Sequence, residues 1–268
     1  MSLKPCQKLY IGMEVFDTTV AELVEKLATG VDGLDQLLKG GFPKGSVILV
    51  CGGPGSGKTI LGIQFLVKGV TDYNQPGLYL SLEESKSHVC REMLNFGWNL
   101  EKLEKERKLL VIDISPIRVL PSELKFGDLV IGRKEFTAAS LIDAIKSHVK
   151  SIKAERIVID PLTILSIQYR DPYERRNVIV QLFQSLIELG VTTLVTSEVR
   201  TNFTWRRLEL EEYISQGVIL LEAVRTGQTL VKTILIEKMR GTDHVHQPTL
   251  YEITPKGLEV HPQEMVSG

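Results

Sequence analysis

With 268 residues, the chain is long enough for one large domain or two small ones, and either can bury a substantial core. It carries 32 basic and 33 acidic side chains, and the net charge of −1 gives no global basic excess of the kind that marks nucleic-acid binding. Hydrophobic residues make up 43% of the chain, but no apolar run approaches the roughly 20 residues of a membrane span. We expect a single domain over residues 1–268 and no contact with a membrane.

The N-terminus and the cysteines bear on location. The segment "MSLKPCQKLY" lacks the charged start, apolar stretch and cleavage site of a secretory signal. Cys6, Cys51 and Cys90 are odd in number, scattered and without CxxC spacing, which favours a reducing compartment. These features predict a cytoplasmic protein.

The first part of the chain reads as a lead-in to the core. Residues 18–28 have the 3.6-residue period of a short amphipathic helix. Glycines and a proline between 29 and 45 predict a loop around one or two helical turns. We assign residues 1–28 to the lead-in segment and 29–262 to the core.

Short apolar runs alternate with helical patterns through the core. The runs show no polar alternation, which is typical of strands covered on both faces; they are 46–52, 77–82, 108–114, 156–160 and 191–198. Helical patterns occupy 57–70, 85–96, 136–153 and 173–189, and the insert 115–136 has no assigned role. This alternation predicts an α/β fold with a mostly parallel sheet flanked by helices.

The rhythm changes after residue 217. Residues 217–224 and 229–239 flank the turn "RTGQ" and predict a hairpin, and 249–261 predict a second, shorter hairpin. We therefore expect a C-terminal antiparallel extension at the edge of the parallel sheet.

A glycine-rich loop separates the first predicted strand of the core, 46–52, from the helical pattern 57–70. The stretch "GGPGSGKT" fits the pattern G-x-x-x-x-G-K-[ST], in which glycines let backbone N–H groups turn toward phosphate oxygens. A glycine-rich turn could match by chance, but strand, loop and helix fall in the required order. The predicted phosphate-binding residues are Gly52, Gly53, Pro54, Gly55, Ser56, Gly57, Lys58, Thr59 and Ile60.

Three acids and one hydroxyl complete the predicted chemistry. Lys58 would reach the β and γ phosphates, while Thr59 and the strand-terminal Asp160 would hold Mg²⁺. A strand-terminal Asp is also common without such a role. Glu83 and Glu84 follow the strand 77–82, where either could activate water; the alternative is that they simply begin the next helix.

The motifs, taken in order, resemble those of single-domain KaiC-like ATPases of the RecA superfamily. The matching stretches are "TGVDGLDQLLKGGFPKGS", "LSLEES", "NFGWNLEKLEKERKLLVID", "VIDPLTIL", "EEYISQGVILL" and "IEKMRGTDHVHQPTLYEITPKGLEVHP". The resemblance implies a RecA-like P-loop fold, binding and hydrolysis of ATP with Mg²⁺, and a hexameric ring with nucleotide at the subunit interface.

The resemblance also implies residues that act across that interface. The family's K-x-R-G-T segment corresponds to "KMRGT", so Lys238 and Arg240 become candidates for contacting the γ phosphate of a neighbouring subunit; read alone, the segment is a solvated turn. One branch of the family autophosphorylates an adjacent Ser-Thr pair, and this chain has Glu212 and Tyr213 there. Autokinase activity is therefore not expected. Because this sequence also lacks the duplicated second domain of the clock branch, we do not expect a clock role either.

Two rival functions remain open. Residues 200–207 combine Phe203 and Trp205 with Arg200, Arg206 and Arg207, a composition that could stack on and clamp single-stranded nucleic acid. Nearby glutamates dilute that charge. Alternatively, the chain is a non-enzymatic scaffold or switch in which ATP joins subunits and a protein partner reads the nucleotide state, as in an archaeal motility accessory protein of the same superfamily. Ring proteins of this kind share their nucleotide site and differ on their outer surface.

Overall fold

The computed structural model describes residues 24–114, 125–126, 129–130, 137–198, 209–226 and 229–265. In chain order the strands are β1 (Lys26–Leu27), β2 (Phe42–Pro43), β3 (Val47–Gly52), β4 (Gly77–Ser81), β5 (Leu109–Asp113), β6 (Lys125–Phe126), β7 (Leu129–Val130), β8 (Arg156–Asp160), β9 (Thr192–Glu198), β10 (Gly217–Thr226), β11 (Thr229–Met239), β12 (Thr249–Thr254) and β13 (Gly257–Met265). The helices are α1 (Leu34–Leu37), α2 (Lys58–Tyr73), α3 (Lys86–Met93), α4 (Leu100–Lys105), α5 (Ala138–Ile152), α6 (Ile164–Gln168), α7 (Pro172–Leu189) and α8 (Leu210–Ile214).

One nine-stranded sheet organises the described residues. Its order is β13-β12-β11-β10-β3-β9-β8-β4-β5, and the last six strands in that order are all parallel. The strands β11, β12 and β13 run antiparallel to their neighbours. The predicted α/β fold with a mostly parallel sheet and an antiparallel C-terminal extension is confirmed.

The junction between the two parts of the sheet differs from the expectation. We expected the first strand of the C-terminal hairpin to belong to an antiparallel edge, but β10 lies parallel to β3, with Val218 opposite Leu49 and Leu221 opposite Gly52. The chain crosses over between β9 and β10, and α8 lies on that connection. The antiparallel extension therefore begins only at β11.

Apolar layers cover both faces of the parallel strands. In β3, Ile48 and Val50 pack into one core cluster, while Val47 and Leu49 pack into the other. All six residues of β3 are buried, as expected for a central parallel strand whose side chains alternate between two covered faces. The loop that follows β3 is therefore attached to a rigid element.

Helix boundaries follow their capping residues. Thr137 caps α5 in a capping box with Ser140, and Asp171 caps α7 just before Pro172. The predicted helix over 85–96 is interrupted, because α3 ends at Met93 and a 3-10 turn covers Leu94–Phe96.

The start of the chain is only partly described. Residues 1–23 of the predicted lead-in lie outside the described ranges. The expected helix over 18–28 is wrong at its end, because Lys26 and Leu27 pair antiparallel with Pro43 and Phe42. The helical turn predicted within 29–45 is α1.

Of residues 115–136, the structure describes the antiparallel pair β6 and β7. Within the described ranges, none of the helices has the length and apolar character that crossing a bilayer requires.

A buried arginine joins α2 to the sheet, and sequence analysis did not identify it. Arg156, at the start of β8, is 0% exposed; it donates to the Phe65 carbonyl at 2.8 Å and to Gln75 Oε1 at 2.9 and 2.6 Å. Its guanidinium lies 4.5 Å from the centroid of the Phe65 ring. Burial lowers the pKa of Arg156 to about 10. Hydrogen bonds and the ring face thus satisfy a cation in the interior.

We predict that Gly69→Ala destabilises the protein by about 1–3 kcal/mol, the usual cost of overpacking. An added Cβ would lie 2.4 Å from both Cδ and Nε of Arg156, whose side chain cannot move without losing its hydrogen bonds. Alanine is otherwise the better helix former by about 1 kcal/mol, so a gain in stability would contradict the packing argument. Urea denaturation measures the effect. Thr71→Ala, at an exposed position of the same helix, is the matched control and should change stability by less than about 0.5 kcal/mol.

Candidate phosphate-binding and catalytic site

The phosphate loop connects the end of β3 to the start of α2. Gly57, directly before α2, has φ 91°, a left-handed conformation that favours glycine. A Cβ there would also lie 2.9 Å from Ile253 Cδ1 on β12. The backbone can therefore make this turn, with β12 packed against it, only because the residue has no side chain.

The C-terminal extension holds the loop from the side. The Tyr251 hydroxyl donates to the Ser56 carbonyl at 2.6 Å, and Lys232 Nζ donates to the Gly55 carbonyl at 3.0 Å. Neither contact was predicted, since each joins residues more than 170 positions apart. The extension therefore contributes directly to the shape of the loop.

Two polar groups of the loop suit a phosphate ligand. Ser56 Oγ is the one buried side-chain nitrogen or oxygen in the described part of the chain without a hydrogen-bond partner. Lys58 Nζ donates to the carbonyls of Gly52 at 2.8 Å and Gly53 at 3.0 Å. Burial lowers the pKa of Lys58, and the negative charge of Asp160 opposes this shift. An unpaired donor and a partly desolvated cation fit an anion with several oxygens.

Asp160 ends β8 beside the loop, as predicted. Its carboxylate is 6% exposed, and its Oδ2 accepts hydrogen bonds from Thr59 Oγ1 at 2.6 Å and from the Tyr79 hydroxyl at 2.8 Å. Its Oδ1 accepts from Thr196 Oγ1. The structure thus brings together Thr59 and Asp160, two residues 101 positions apart. Their oxygens are the kind of ligand that Mg²⁺ prefers, so the donor set fits that ion.

The structure separates the two adjacent glutamates. The Glu84 carboxylate contacts the His88 imidazole, with 3.1 Å between Oε2 and Nδ1, and His88 Nε2 lies 3.1 Å from Glu92. Ligand atoms of these three residues lie within 4.8 Å of one another, but the histidine contacts account for the grouping. The Glu84 carboxylate therefore already contacts a side chain of α3.

Glu83 has different electrostatic neighbours. Partial burial raises the pKa of Glu83, the charges of Glu198, Glu84 and Asp160 raise it further, and Lys58 opposes them. The electrostatic neighbours of this exposed carboxylate thus include acids at the carboxyl ends of β8 and β9 and the lysine at the start of α2. Sequence analysis could not distinguish the two acids, and it did not identify Glu198 as a neighbour of either.

A cleft of about 340 Å³ opens beside the loop. The loop residues Gly55, Gly57, Lys58, Thr59 and Ile60 form one wall, and the other residues are Glu84, Glu92, Met93, Asn95, Phe96 and Ile253. Phe96 stacks on Trp98 with 5.1 Å between ring centroids. The cleft therefore combines polar side chains with the apolar surface of Met93, Phe96 and Ile253.

Lys238 and Arg240 lie in a different place. Lys238 Nζ donates to the Glu212 carbonyl at 2.7 Å, and Arg240 Nη2 donates to the Tyr213 carbonyl at 2.9 Å, so both cap the end of α8. They line a separate cavity of about 550 Å³ that contains none of the loop residues. Within one chain, the structure does not bring these cations to the phosphate loop.

The register of the sheet explains this separation. Lys238 on β11 is opposite Val218 on β10, which in turn is opposite Leu49 on β3. Leu49 precedes Gly52, the last residue of β3, by three residues, which corresponds to about 10 Å along a strand. Two strand spacings separate the residues laterally.

Of the two remaining predicted segments, one lies outside the described ranges and the other lies inside them. The aromatic and arginine residues of 200–207 are not among the described residues. Glu212, which the resemblance led us to match with a phosphorylated residue, is 8% exposed, and its Oε1 accepts from the Glu209 N–H at 3.0 Å. The Glu212 side chain therefore takes part in the capping box at the start of α8.

Comparison with known proteins identifies relatives over most of the chain. The family model described as the KaiC ATPase matches residues 27–265. The circadian clock oscillator protein KaiC of Parasynechococcus marenigrum is 33% identical over 240 residues, which are 89% of this chain and 45% of that protein. KaiC 1 of Synechocystis is 35% identical over 89% of this chain and 44% of its own length. The chain thus spans about half the length of the curated relatives that it matches.

One solved structure is similar to this chain over the whole length of the solved protein. The crystal structure of a KaiC-like protein from the hyperthermophilic archaeon Pyrococcus horikoshii OT3 has 35% identity and a TM-score of 0.77, covering 89% of this chain and 100% of its own. The identity and the TM-score together support the same fold for this chain. By the extent of the family match and the identity of these relatives, this chain belongs to the KaiC family of ATP-binding, RecA-like proteins.

Proposed function

We propose that the chain is an ATPase domain that binds Mg-ATP at the phosphate loop and hydrolyses it at the interfaces of a hexameric ring. One observation carries the proposal: the Thr59 hydroxyl and the Asp160 carboxylate meet at 2.6 Å beside the loop that bears the unpaired Ser56 hydroxyl. This arrangement combines phosphate donors with ligands for a hard cation.

The loop and α2 would bind the polyphosphate together. The backbone N–H groups of residues 52–60, apart from Pro54, which has none, and the positive end of α2 would contact the polyphosphate. Lys58 would exchange its two loop carbonyls for phosphate oxygens, which are stronger acceptors because they are charged. Phe96 and Ile253 offer apolar surface for the nucleoside in the adjoining cleft.

Catalysis would depend on Glu83 more than on Glu84. Bound Mg²⁺ would neutralise charge on the phosphates and would be held by Thr59 and Asp160. Glu83, whose raised pKa reflects burial and nearby acids, is the acid suited to accept a proton from water. Glu84 already contacts His88, which supports a positioning role.

The remaining charge would come from a neighbouring subunit. Lys238 and Arg240 line a cavity apart from the phosphate loop, which is what a contribution across an interface requires. Both point toward backbone carbonyls that a phosphate could replace. Such arginines typically accelerate phosphoryl transfer by about 10³ to 10⁵.

The proposal also covers the cellular location of the protein and its further binding partners. Cys51 and Cys90 are buried and form no disulfide among the described residues, which supports a cytoplasmic, reducing environment. A protein partner that reads the nucleotide state is compatible with this site. Binding of single-stranded nucleic acid stays a prediction from residues 200–207, which lie outside the described ranges.

The test combines the size of the purified chain with phosphate release, each with and without Mg-ATP. We expect a ring in Mg-ATP and steady release of phosphate. Lys58→Ala should bind ATP about tenfold or more weakly and lose phosphate release, because it removes a charged hydrogen bond. Assembly without phosphate release would instead select the scaffold function. Salt-sensitive binding of single-stranded DNA would favour the nucleic-acid alternative.

A further inference from the structure

The Asp160 carboxylate is surrounded by three hydroxyl donors from three different elements. Thr59 and Tyr79 both donate to Oδ2, at 2.6 and 2.8 Å, and Thr196 donates to Oδ1. Tyr79 comes from β4 and Thr196 from β9, the two strands that flank β8 in the sheet. The carboxylate is thus held from both sides and from the loop.

The three donors differ in what else they can contact. Tyr79 is 2% exposed and Thr196 is 0% exposed, so neither hydroxyl faces the cleft. Thr59, in contrast, lines the cleft beside the loop. A hydroxyl has one proton and two lone pairs, so Thr59 can donate to Asp160 and still offer its oxygen to a metal ion. Tyr79 and Thr196 act only on the carboxylate.

The surroundings of Tyr79 leave its hydroxyl a single role. The phenol O–H is buried in β4 and donates to the Asp160 carboxylate at 2.8 Å. Tyrosine in a buried strand needs such a partner, which is why the middle of "LYLSL" could have indicated a polar neighbour.

We propose that Tyr79 and Thr196 are positioning residues that fix the Asp160 carboxylate for magnesium, while Thr59 is the donor shared with the metal. This inference rests on the proposed function, because it assigns roles at the same site. Two buried donors orient both carboxylate oxygens, so the ion meets a ligand that needs no rearrangement. Removing either donor frees the carboxylate to rotate and leaves it partly unsatisfied in a buried position.

The experiment measures nucleotide binding rather than turnover. Binding of ADP to the full chain is titrated at a series of Mg²⁺ concentrations and in EDTA, for Tyr79→Phe, Thr196→Val and the conservative Thr196→Ser. We expect Tyr79→Phe and Thr196→Val to raise the Mg²⁺ concentration for half-maximal enhancement of binding about 10–100-fold, the usual effect of losing a partner of a metal ligand. Binding in EDTA should change less than about twofold, since the loop amides and Lys58 carry it.

The controls separate this role from a structural one. Thr196→Ser keeps the hydroxyl and should restore the normal Mg²⁺ requirement. Tyr173→Phe, at a position 80% exposed on α7, should change nothing. A normal Mg²⁺ requirement in both Tyr79→Phe and Thr196→Val would overturn the inference, as would equal weakening with and without Mg²⁺. If Mg²⁺ does not change the affinity of the wild-type chain for ADP, the result contradicts the proposed function itself.

Discussion

Replacing Arg240 by alanine is expected to lower ATP hydrolysis about 10³-fold while leaving ATP binding largely intact, because the arginine would act on charge that develops in the transition state. Lys238→Ala should act in the same direction. Within its own chain, Arg240 contacts the Tyr213 carbonyl and lies outside the cleft of the phosphate loop. Phosphate release at saturating Mg-ATP measures the loss, and Arg176→Ala at an exposed position of α7 is the matched control.

Mixing two inactive variants tests whether the arginine acts in trans. Arg240→Ala retains the phosphate loop, and Lys58→Ala retains the arginine. In a randomly mixed ring, about one interface in four would combine an intact loop with an intact arginine from its neighbour. Recovery of roughly that fraction of activity is expected. If mixing restores nothing while both variants still assemble, the arginine does not act across the interface.

The second large effect on ATP hydrolysis is expected for Glu83→Gln. It should lower hydrolysis about 10² to 10⁴-fold, the range of general base catalysis, without weakening ATP binding. Glu84→Gln should cost less than about tenfold, because Glu84 contacts His88 and only indirectly orders its neighbour. The double variant should bind ATP and release no phosphate. The opposite order, with Glu84→Gln inactive and Glu83→Gln active, would exchange their roles.

The pH dependence of hydrolysis gives an independent check on Glu83. Burial, together with Glu198, Glu84 and Asp160, raises the pKa of Glu83, so this carboxyl takes up a proton at higher pH than a free glutamate. A general base must be deprotonated, so the rate should fall on acidification before an ordinary glutamate would titrate. Residual activity of Glu83→Gln should lack this acidic limb. An unchanged limb in the variant would assign the titration to another group.

Local sequence patterns predicted much of the architecture. Strands such as β3 are buried on both faces and need continuous apolar residues, and few other structures tolerate such a run. The phosphate loop was predictable for the same reason, since its glycines have to allow conformations such as φ 91° at Gly57. The helical patterns predicted from 136 and 173 begin within two residues of α5 and α7, whose starts are capped by Thr137 and Asp171.

The errors arose where distant parts of the chain compete with local preference. Lys26 and Leu27 form a strand because Phe42 and Pro43 provide a partner, although the local period favours a helix. The parallel direction of β10 depends on its place beside β3, which the residues of β10 do not encode. Long-range pairing therefore decided these features.

The sequence by itself determined the alternation of strands and helices, the phosphate loop, and the strand-terminal position of Asp160, because each depends on residues close together in the chain. Only the tertiary structure decided which groups meet Asp160, that Glu84 contacts His88, and that Lys238 and Arg240 lie apart from the phosphate loop. Those relationships depend on strand order and register. Strand order and register arise from packing the whole sheet, and no local pattern contains them.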